Sequence, residues 1–279
     1  MTGLTVARDG VVLSAEQRGE GIPVVLLHGL TATRRYVVMG SRRLERSGHR
    51  VVGYDARGHG RSSPARRPGD YDYGYLVDDL VAVMDEADVD RAVLAGASMG
   101  AHAALRFALE RPGRVVALAI ITPAFDPAGA GDAPALARWD ALADGLRSGG
   151  VEGFLKAYGE PPVEPRWRRT VLQVVRQRLS EHEHPEAVAD AMQAVPRSRP
   201  FESFDQLEAI EAPAVVIASR DEADPGHPRA IGERCAAAMP RARLVVEPEG
   251  ESPLAWQGGR VSTLIAEVAS AAAREGLTR

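Results

Sequence analysis

Cysteine and long apolar runs are nearly missing from this chain of 279 residues, and each lack excludes something. Cys235 is the single cysteine, so neither an intrachain disulfide nor a cysteine-based metal cluster is possible. No apolar run approaches the roughly 18 residues of a membrane span. The first twenty residues carry both acidic and basic side chains, unlike a signal peptide. We therefore expect a soluble, cytoplasmic protein.

Net charge is also small. The chain has 34 basic and 38 acidic residues, a formal charge of −4 and a pI of about 6.0. It therefore lacks the basic surplus that favours nucleic acid or an anionic membrane. We expect a small-molecule substrate and no nucleic-acid or membrane partner. We also expect neither a cofactor nor a metal, and a homodimer is one possible oligomeric state. Hydrophobic residues make up 45% of the chain, enough for one large α/β domain or two small ones.

Apolar runs and helical patterns alternate along much of the chain. Residues 4–7 and 11–17 predict a β-hairpin, because Asp9-Gly10 between them is a strong turn pair. Strands are predicted at 23–27, 50–54, 92–95, 115–121, 214–218 and 244–247, and the run 23–27 is continuously apolar, as is typical of a buried parallel strand. Helical segments are predicted from 31 to about 47 and at 75–87, 227–239 and 261–274. This order predicts a parallel sheet with helices on both faces.

One long segment departs from the alternation. Residues 126–205 show helical patterns at 134–146, 151–158, 166–179 and 185–194, separated by proline breaks and without a convincing strand. We predict a core formed by residues 1–125 and 206–279, with residues 126–205 as a helical lid. An insertion that follows the carboxyl end of a strand is well placed to cover an active site.

The stretch Gly96-Ala97-Ser98-Met99-Gly100 lies between a predicted strand and an alanine-rich helix. Strand, Gly-x-Ser-x-Gly and helix together form a nucleophile elbow. Its strained turn lifts the serine hydroxyl clear of the backbone, and the Met99 N–H at the helix start faces a developing oxyanion. The alternative interpretation is an ordinary turn between a strand and a helix.

Two further motifs also follow predicted strands. His28-Gly29-Leu30 comes after the run 23–27, and residues 55–62 (DARGHGRS) come after the run 50–54. With the elbow, they make the chain resemble the α/β-hydrolase fold family over nearly its whole length. The resemblance implies a mostly parallel sheet of about eight strands, and catalytic groups in the order Ser, Asp or Glu, His. It also implies that the Leu30 N–H is an oxyanion donor beside that of Met99.

The resemblance places the catalytic acid after the strand that follows the lid. Three carboxylates fit the pattern there or after the preceding strand. Spacing to Pro225 favours Asp221, Asp224 is the second choice, and Asp126 fits the position that some relatives use. Each of these could instead be an ordinary solvated loop carboxylate.

The family's histidine is missing from its usual place. A Gly-His-Ser-Pro-like turn is expected after the last strand, where this chain has residues 247–253, EPEGESP. Aligning on Gly-x-Ser-Pro puts Glu251 in the histidine's place, whereas counting without a gap puts Ser252 there. No histidine follows His227. We therefore expect Glu251 to be an unusual base close to Ser98 and Asp221.

The seven histidines and two arginines supply the other candidates. We expect His28 and His59 to stabilise loops and His49 to lie at the surface. The His102 side chain should run along its helix, and His227 should begin a helix. His182 and His184 are expected in a solvated turn of the lid. Substrate contacts are expected from His28, Gly29 and Arg34. Arg34 and Arg35 could hold a carboxylate or phosphate, or could lie on an exposed helical turn.

Three functions fit these observations. The first is a serine hydrolase of small esters, lactones or related acyl compounds that uses Ser98 with a non-standard base. The second is a lyase or cyclase on the same scaffold, and the third is a ligand-binding protein with a deficient triad. The intact elbow favours an enzyme, although a fold alone does not decide function.

Overall fold

The computed structural model describes residues 2–277, which contain an eight-stranded sheet in the order β1-β2-β4-β3-β5-β6-β7-β8. The strands are β1 (Thr2–Arg8), β2 (Val11–Arg18), β3 (Ile22–Leu27), β4 (His49–Tyr54), β5 (Ala92–Ala97), β6 (Val115–Ile121), β7 (Ala214–Ala218) and β8 (Ala242–Val246). Strand β2 pairs antiparallel with β1 and β4, and every other pairing is parallel. The predicted α/β-hydrolase sheet is confirmed.

Helices cover both faces of this sheet. They are α1 (Arg43–Arg46), α2 (Tyr73–Glu86), α3 (Met99–Glu110), α4 (Ala133–Tyr158), α5 (Pro165–Leu179), α6 (Pro185–Ala194), α7 (Arg229–Ala238) and α8 (Gly258–Arg274). The contacts of strand β3 explain why its sequence is continuously apolar. Val25 and Leu27 join the apolar cluster that contains α2 and α3, whereas Val24 and Leu26 join the cluster that contains α1 and α8. Alternate side chains of a strand face opposite ways, so both sets must be apolar here.

The helix predicted from residue 31 to about 47 is much shorter in the structure. Only a 3-10 turn, Arg34–Val37, and the single turn of α1 form in this region. Met39 and Gly40 between them adopt positive φ angles of 48° and 71°. An α-helix cannot continue through that conformation, so the segment splits in two.

Three helices, α4 to α6, make up most of residues 126–205, which we call the lid. No strand forms between Ile121 and Ala214, a span that lies wholly within the described residues. Helix α4 is interrupted at Gly149 and Gly150, where φ is −140° and 58°, so its two halves match the two predicted helices. The division of the chain at residues 126 and 205 stays a prediction. No helix within residues 2–277 has the length and apolar character needed to cross a membrane.

Candidate active site

Ser98 lies in a strained turn between β5 and α3. Its φ and ψ are 51° and −113°, a conformation that a non-glycine residue rarely adopts. A Cβ on Gly96 would overlap the carbonyl of Gly100, and one on Gly100 would overlap the carbonyl of Leu27 in β3. The Ser98 N–H donates to the Ile121 carbonyl at 2.9 Å. Close packing against β3 and β6 therefore holds the turn, and its serine is half-buried.

Two backbone amides near Ser98 have no hydrogen-bond partner among the described residues, those of Leu30 and Met99. A Cβ on Gly29 would lie 3.4 Å from the Ser98 Cβ, so the segment 28–36, here called the oxyanion loop, contacts the serine. His59 Nε2 lies 2.7 Å from the Leu30 carbonyl oxygen and fixes the loop from behind. Met99 begins α3, where the helix dipole adds partial positive charge. The two amides can hold an oxyanion.

His227 lies beside the serine hydroxyl. Its Nε2 is 3.0 Å from Ser98 Oγ, and its Nδ1 is 2.8 Å from Asp224 Oδ1. The carboxylate can only accept, so Nδ1 carries the proton and Nε2 is free to accept from the hydroxyl. The tight turn Asp224-Pro225-Gly226-His227 brings acid and base together, and the His227 N–H donates to the Asp224 carbonyl at 3.0 Å. This is the hydrogen-bonded arrangement of a Ser-His-Asp triad.

The structure contradicts the predicted place of Glu251. Its side chain is exposed and accepts a hydrogen bond from Arg260 Nη1 at 2.8 Å. His227 occupies the position beside Ser98 that we expected Glu251 to take. The prediction was wrong because it placed the residue beside Ser98 after the last strand, whereas the histidine that lies there belongs to the loop after β7.

Asp221 is also placed away from Ser98. It is exposed, and its Oδ1 accepts from the Arg229 N–H at 2.8 Å, so it satisfies an amide at the start of α7. Asp126 pairs with Arg234 at 3.2 Å. The second choice, Asp224, is the carboxylate that meets the histidine. Its signal was the sequence Asp-Pro-Gly-His itself, since Pro-Gly at the centre of a turn brings the first and fourth residues together.

Electrostatics favour a basic imidazole at His227. Burial lowers its pKa, but the charge of Asp224 and the hydrogen bond to it outweigh burial, so the pKa is raised above the ordinary 6.5. The positive charge of Arg178 lowers it in part. The neutral form, which can take the serine proton, therefore dominates only at a pH above that raised pKa.

Two residues predicted to contact substrate have other partners. His28 is buried, with Nε2 accepting from the Ala56 N–H and Nδ1 donating to the Gly29 carbonyl, both at 2.8 Å. Arg34 pairs through Nη1 with Asp55 at 2.5 Å, and its backbone N–H donates to the same carboxylate at 2.9 Å. Both side chains therefore tie loops together, which corrects their assignment to substrate. Arg35 is exposed, while Gly29 keeps its predicted place beside Ser98.

The lid docks on the oxyanion loop through residues 181–183, which we call the lid latch. Glu181 accepts from Thr33 Oγ1 at 2.8 Å and from the Tyr36 hydroxyl at 3.0 Å. His182, expected in a solvated turn, is instead buried, and its Nδ1 accepts from the Gly60 N–H at 2.8 Å. Burial lowers the pKa of His182 to about 3, so the ring stays neutral. Within residues 2–277, no three His, Cys, Asp or Glu side chains are grouped to hold a metal ion.

His102 fixes the start of the lid. Its Nε2 accepts from the N–H groups of Ala124 and Phe125 at 2.9 and 3.1 Å, and Nδ1 lies 2.9 Å from the Tyr73 hydroxyl. Burial lowers its pKa to about 3. Both ring nitrogens are therefore engaged away from the serine, as predicted.

Comparison with known proteins agrees with this geometry. A family model described as alpha/beta hydrolase fold matches residues 22–257. The AB hydrolase superfamily protein YisY of Bacillus subtilis (strain 168) is 34% identical over 122 residues, 42% of this chain and 44% of that protein. The chain thus spans less than half the length of this curated relative. Two solved structures are similar over nearly their whole length.

One of them is Est816, described as an N-acyl homoserine lactone degrading enzyme, with 28% identity and a TM-score of 0.73 over 94% of this chain and 97% of that one. The other is a thermophilic esterase from Thermogutta terrifontis, with 26% identity and a TM-score of 0.77 over 98% of this chain and 99% of that one. Because the family model spans most of the sequence, the chain belongs to the α/β-hydrolase fold family.

Proposed function

We propose that this protein is a serine hydrolase of small esters and lactones, with Ser98 as nucleophile, His227 as general base and Asp224 as the residue that orients the base. The observation that carries the proposal is the continuous hydrogen-bond chain from Ser98 Oγ through the imidazole to Asp224 Oδ1. It replaces Glu251 and Asp221 in the roles predicted from the sequence. The similarity to a lactone-degrading enzyme and to an esterase supports the substrate class.

The first half of the reaction forms an acyl-enzyme. His227 Nε2 takes the hydroxyl proton as Ser98 Oγ attacks the acyl carbon, and the carbonyl oxygen becomes an oxyanion. The N–H groups of Leu30 and Met99 donate to that oxyanion. Asp224 stabilises the imidazolium that forms. The tetrahedral intermediate then expels the alkoxide, which leaves with the proton from His227.

The second half returns the enzyme to its starting state. A water molecule gives a proton to His227 and attacks the acyl carbon of the ester to Ser98. The second oxyanion collapses and expels Ser98 Oγ, which recovers its proton from the imidazolium. The products are a carboxylic acid and an alcohol, or a single hydroxy acid where the substrate is a lactone.

The lyase and ligand-binding hypotheses were based on the missing histidine. His227 beside Ser98 removes that reason. A ligand-binding protein would also gain nothing from two open amides next to a strained serine.

A serine-directed phosphonate probe tests the proposal. We expect one adduct, at Ser98, that is lost in Ser98→Ala and read out by mass spectrometry. Hydrolysis of p-nitrophenyl acetate should fall about 10²–10⁴-fold in His227→Ala, the usual worth of general base catalysis. Glu251→Gln is the matched control, since it alters a carboxylate that lies away from the serine. Undiminished hydrolysis by Ser98→Ala would contradict the proposal.

A further inference from the structure

Arg178, in the last turn of α5, is a half-buried cation whose side chain makes no hydrogen bond or ion pair among the described residues. Its Nε is shielded from solvent and donates no hydrogen bond. Among the described residues, none of its nitrogens meets an acceptor or a carboxylate. Three other arginines of the same helix do have partners, Arg166 with Glu164, Arg168 with Glu160 and Arg176 with Glu152. A shielded charge without a partner is unfavourable unless something else binds it.

The position of Arg178 is fixed relative to the triad. Helix α5 leads directly into the lid latch, which bonds to Thr33, Tyr36 and Gly60, so the end of the helix is held against the oxyanion loop. Burial lowers the pKa of Arg178, and the nearby charge of Asp224 raises it in part. The positive charge of Arg178 in turn lowers the pKa of Tyr36 on the oxyanion loop, of Tyr158 at the end of α4 and of His227 in the turn 224–227. The guanidinium therefore lies within electrostatic range of the triad.

The charge of Asp224 offsets part of this positive charge from nearby, but its Oδ1 accepts from His227 Nδ1, and among the described residues no hydrogen bond joins it to the guanidinium. An anionic group on the substrate would supply the missing acceptor. A guanidinium binds a carboxylate through two parallel hydrogen bonds, and it stays charged at any working pH. A single arginine that faces the negative Asp224 suits a monoanion better than a phosphate dianion.

We propose that Arg178 binds a carboxylate of the substrate, so that the preferred substrates are small esters or lactones whose acyl part carries a free carboxylate. This inference rests on the proposed hydrolase function. It makes Arg178 the residue that determines specificity, and it moves the anion-binding role away from Arg34, whose charge Asp55 already neutralises.

Two esters of similar shape but different charge test the proposal, monomethyl succinate and methyl 4-methylpentanoate, with hydrolysis followed by pH-stat. We expect wild type to favour the anionic ester. Arg178→Met should lower kcat/KM for that ester roughly ten- to hundred-fold and leave the neutral ester nearly unchanged. Arg178→Lys should recover part of the loss. Arg169→Met, an exposed arginine of the same helix, is the control and should alter neither rate.

A structural role for Arg178 would lower both rates equally in Arg178→Met, and that result would overturn the proposal. The pH profile on the neutral ester gives a second readout. Removing the positive charge of Arg178 should raise the apparent pKa of His227, and an unmoved profile would count against proximity to the triad.

Failure of the hydrolase function itself is distinguishable. If wild type cleaves neither ester, calorimetry with monomethyl succinate decides the binding question separately. The comparison is between Ser98→Ala and the double variant Ser98→Ala with Arg178→Met. At least ten-fold weaker binding by the double variant supports the carboxylate site. Equal affinity, or no binding to Ser98→Ala, overturns it.

Discussion

At the scale of single residues, Asp224 controls both the orientation and the basicity of His227. We predict that kcat/KM rises with pH through an apparent pKa above 6.5, because only the neutral imidazole accepts the serine proton. Asp224→Asn removes the charge that raises this pKa, so the profile should move to lower pH. The rate should also fall by up to about 10⁴-fold, since the amide no longer fixes the tautomer.

The measurement is a pH–rate profile on an activated ester for wild type and Asp224→Asn. Asp221→Asn is the matched control, because Asp221 bonds only to the start of α7 and the amide oxygen can still accept there. A profile for Asp224→Asn that coincides with wild type would show that the observed contact has no part in catalysis.

For Glu251, in contrast to Asp224, we predict that substitution leaves the activity unchanged. Both Glu251→Gln and Glu251→His should leave turnover within about two-fold of wild type, since the side chain is bound to Arg260 at the surface. An exposed ion pair of this kind contributes at most about 1 kcal/mol to stability. Steady-state kinetics and a urea midpoint check both points. A large increase in turnover in Glu251→His would support the prediction from the sequence that the base lies at position 251.

The residues that could be predicted were those fixed by local geometry. Gly96 and Gly100 are small because the chain crosses itself there, and that requirement is visible in the sequence alone. The partner of Ser98 depends instead on which loop reaches it in three dimensions. Ser98, Asp224 and His227 follow one another in the family's order of serine, acid and histidine. The histidine, however, lies in the loop after β7 and not in the loop after the last strand, as the resemblance implied.

At the scale of elements, the lid and the sheet differ in how firmly they are held. Helix α5 buries only Val175 and Leu179, whereas every residue of β7 is buried. We predict that amides of α5 exchange faster with deuterium than those of β5 and β7, because local opening exposes less apolar surface. Equal protection of α5 and β7 would show that the lid is as rigid as the sheet.

His182 allows a sharper test of the same idea. His182→Ala removes the acceptor for the Gly60 N–H and should accelerate exchange throughout α5. His184→Ala is the control, since the His184 side chain makes no hydrogen bond to the core among the described residues. Mass spectrometry of the exchanged peptides measures both. Unchanged exchange in α5 would mean that Glu181 and the Glu183 N–H, which donates to the Gly60 carbonyl at 2.9 Å, hold the lid latch without His182.

Elements were predictable where burial dictates composition. The central parallel strands β3, β5, β6 and β7 are apolar on both faces, so their sequences are continuous apolar runs. The helix predicted up to residue 47 was not correct, because Met39 and Gly40 both adopt left-handed conformations. Glycine permits this conformation readily, whereas a methionine gives no sign of it in the sequence. The burial of His182 was missed for a similar reason, since its partner Gly60 lies far away in the chain.

At the scale of the whole molecule, buried histidines make stability depend on pH. Burial lowers the pKa of His28, His102 and His182 to about 3. In the unfolded chain each has a pKa near 6.5, so unfolding takes up protons in acid. Their contribution is fully present above pH 6.5 and is lost as the pH falls toward 3. Each histidine contributes a slope of up to about 1.4 kcal/mol per pH unit.

The raised pKa of His227 has the opposite sign. Its contribution is present below pH 6.5 and is lost as the pH rises through its folded value. Urea unfolding at pH 7.5, 6 and 5 should show stability decreasing with acid, because burial also lowers the pKa of His59, and four histidines with a lowered pKa outweigh one with a raised pKa. His102→Asn should reduce by one the number of protons taken up on unfolding, and so lower the slope of the free energy of unfolding against pH. Equal free energies of unfolding at pH 7.5 and pH 5 would contradict this account.

The short spacing of Asp224 and His227 in one turn has a consequence for the evolution of the gene. The codons for acid and base are separated by only two others, so a single short recombination event transfers both together. Strand β8 and the loop after it carry neither group, but the buried Glu247 after β8 accepts from the Arg220 N–H at 2.6 Å and so holds the start of the loop that carries both. A lineage with this arrangement can vary exposed positions around its last strand, such as Arg243 and Glu249, while Asp224 and His227 stay together.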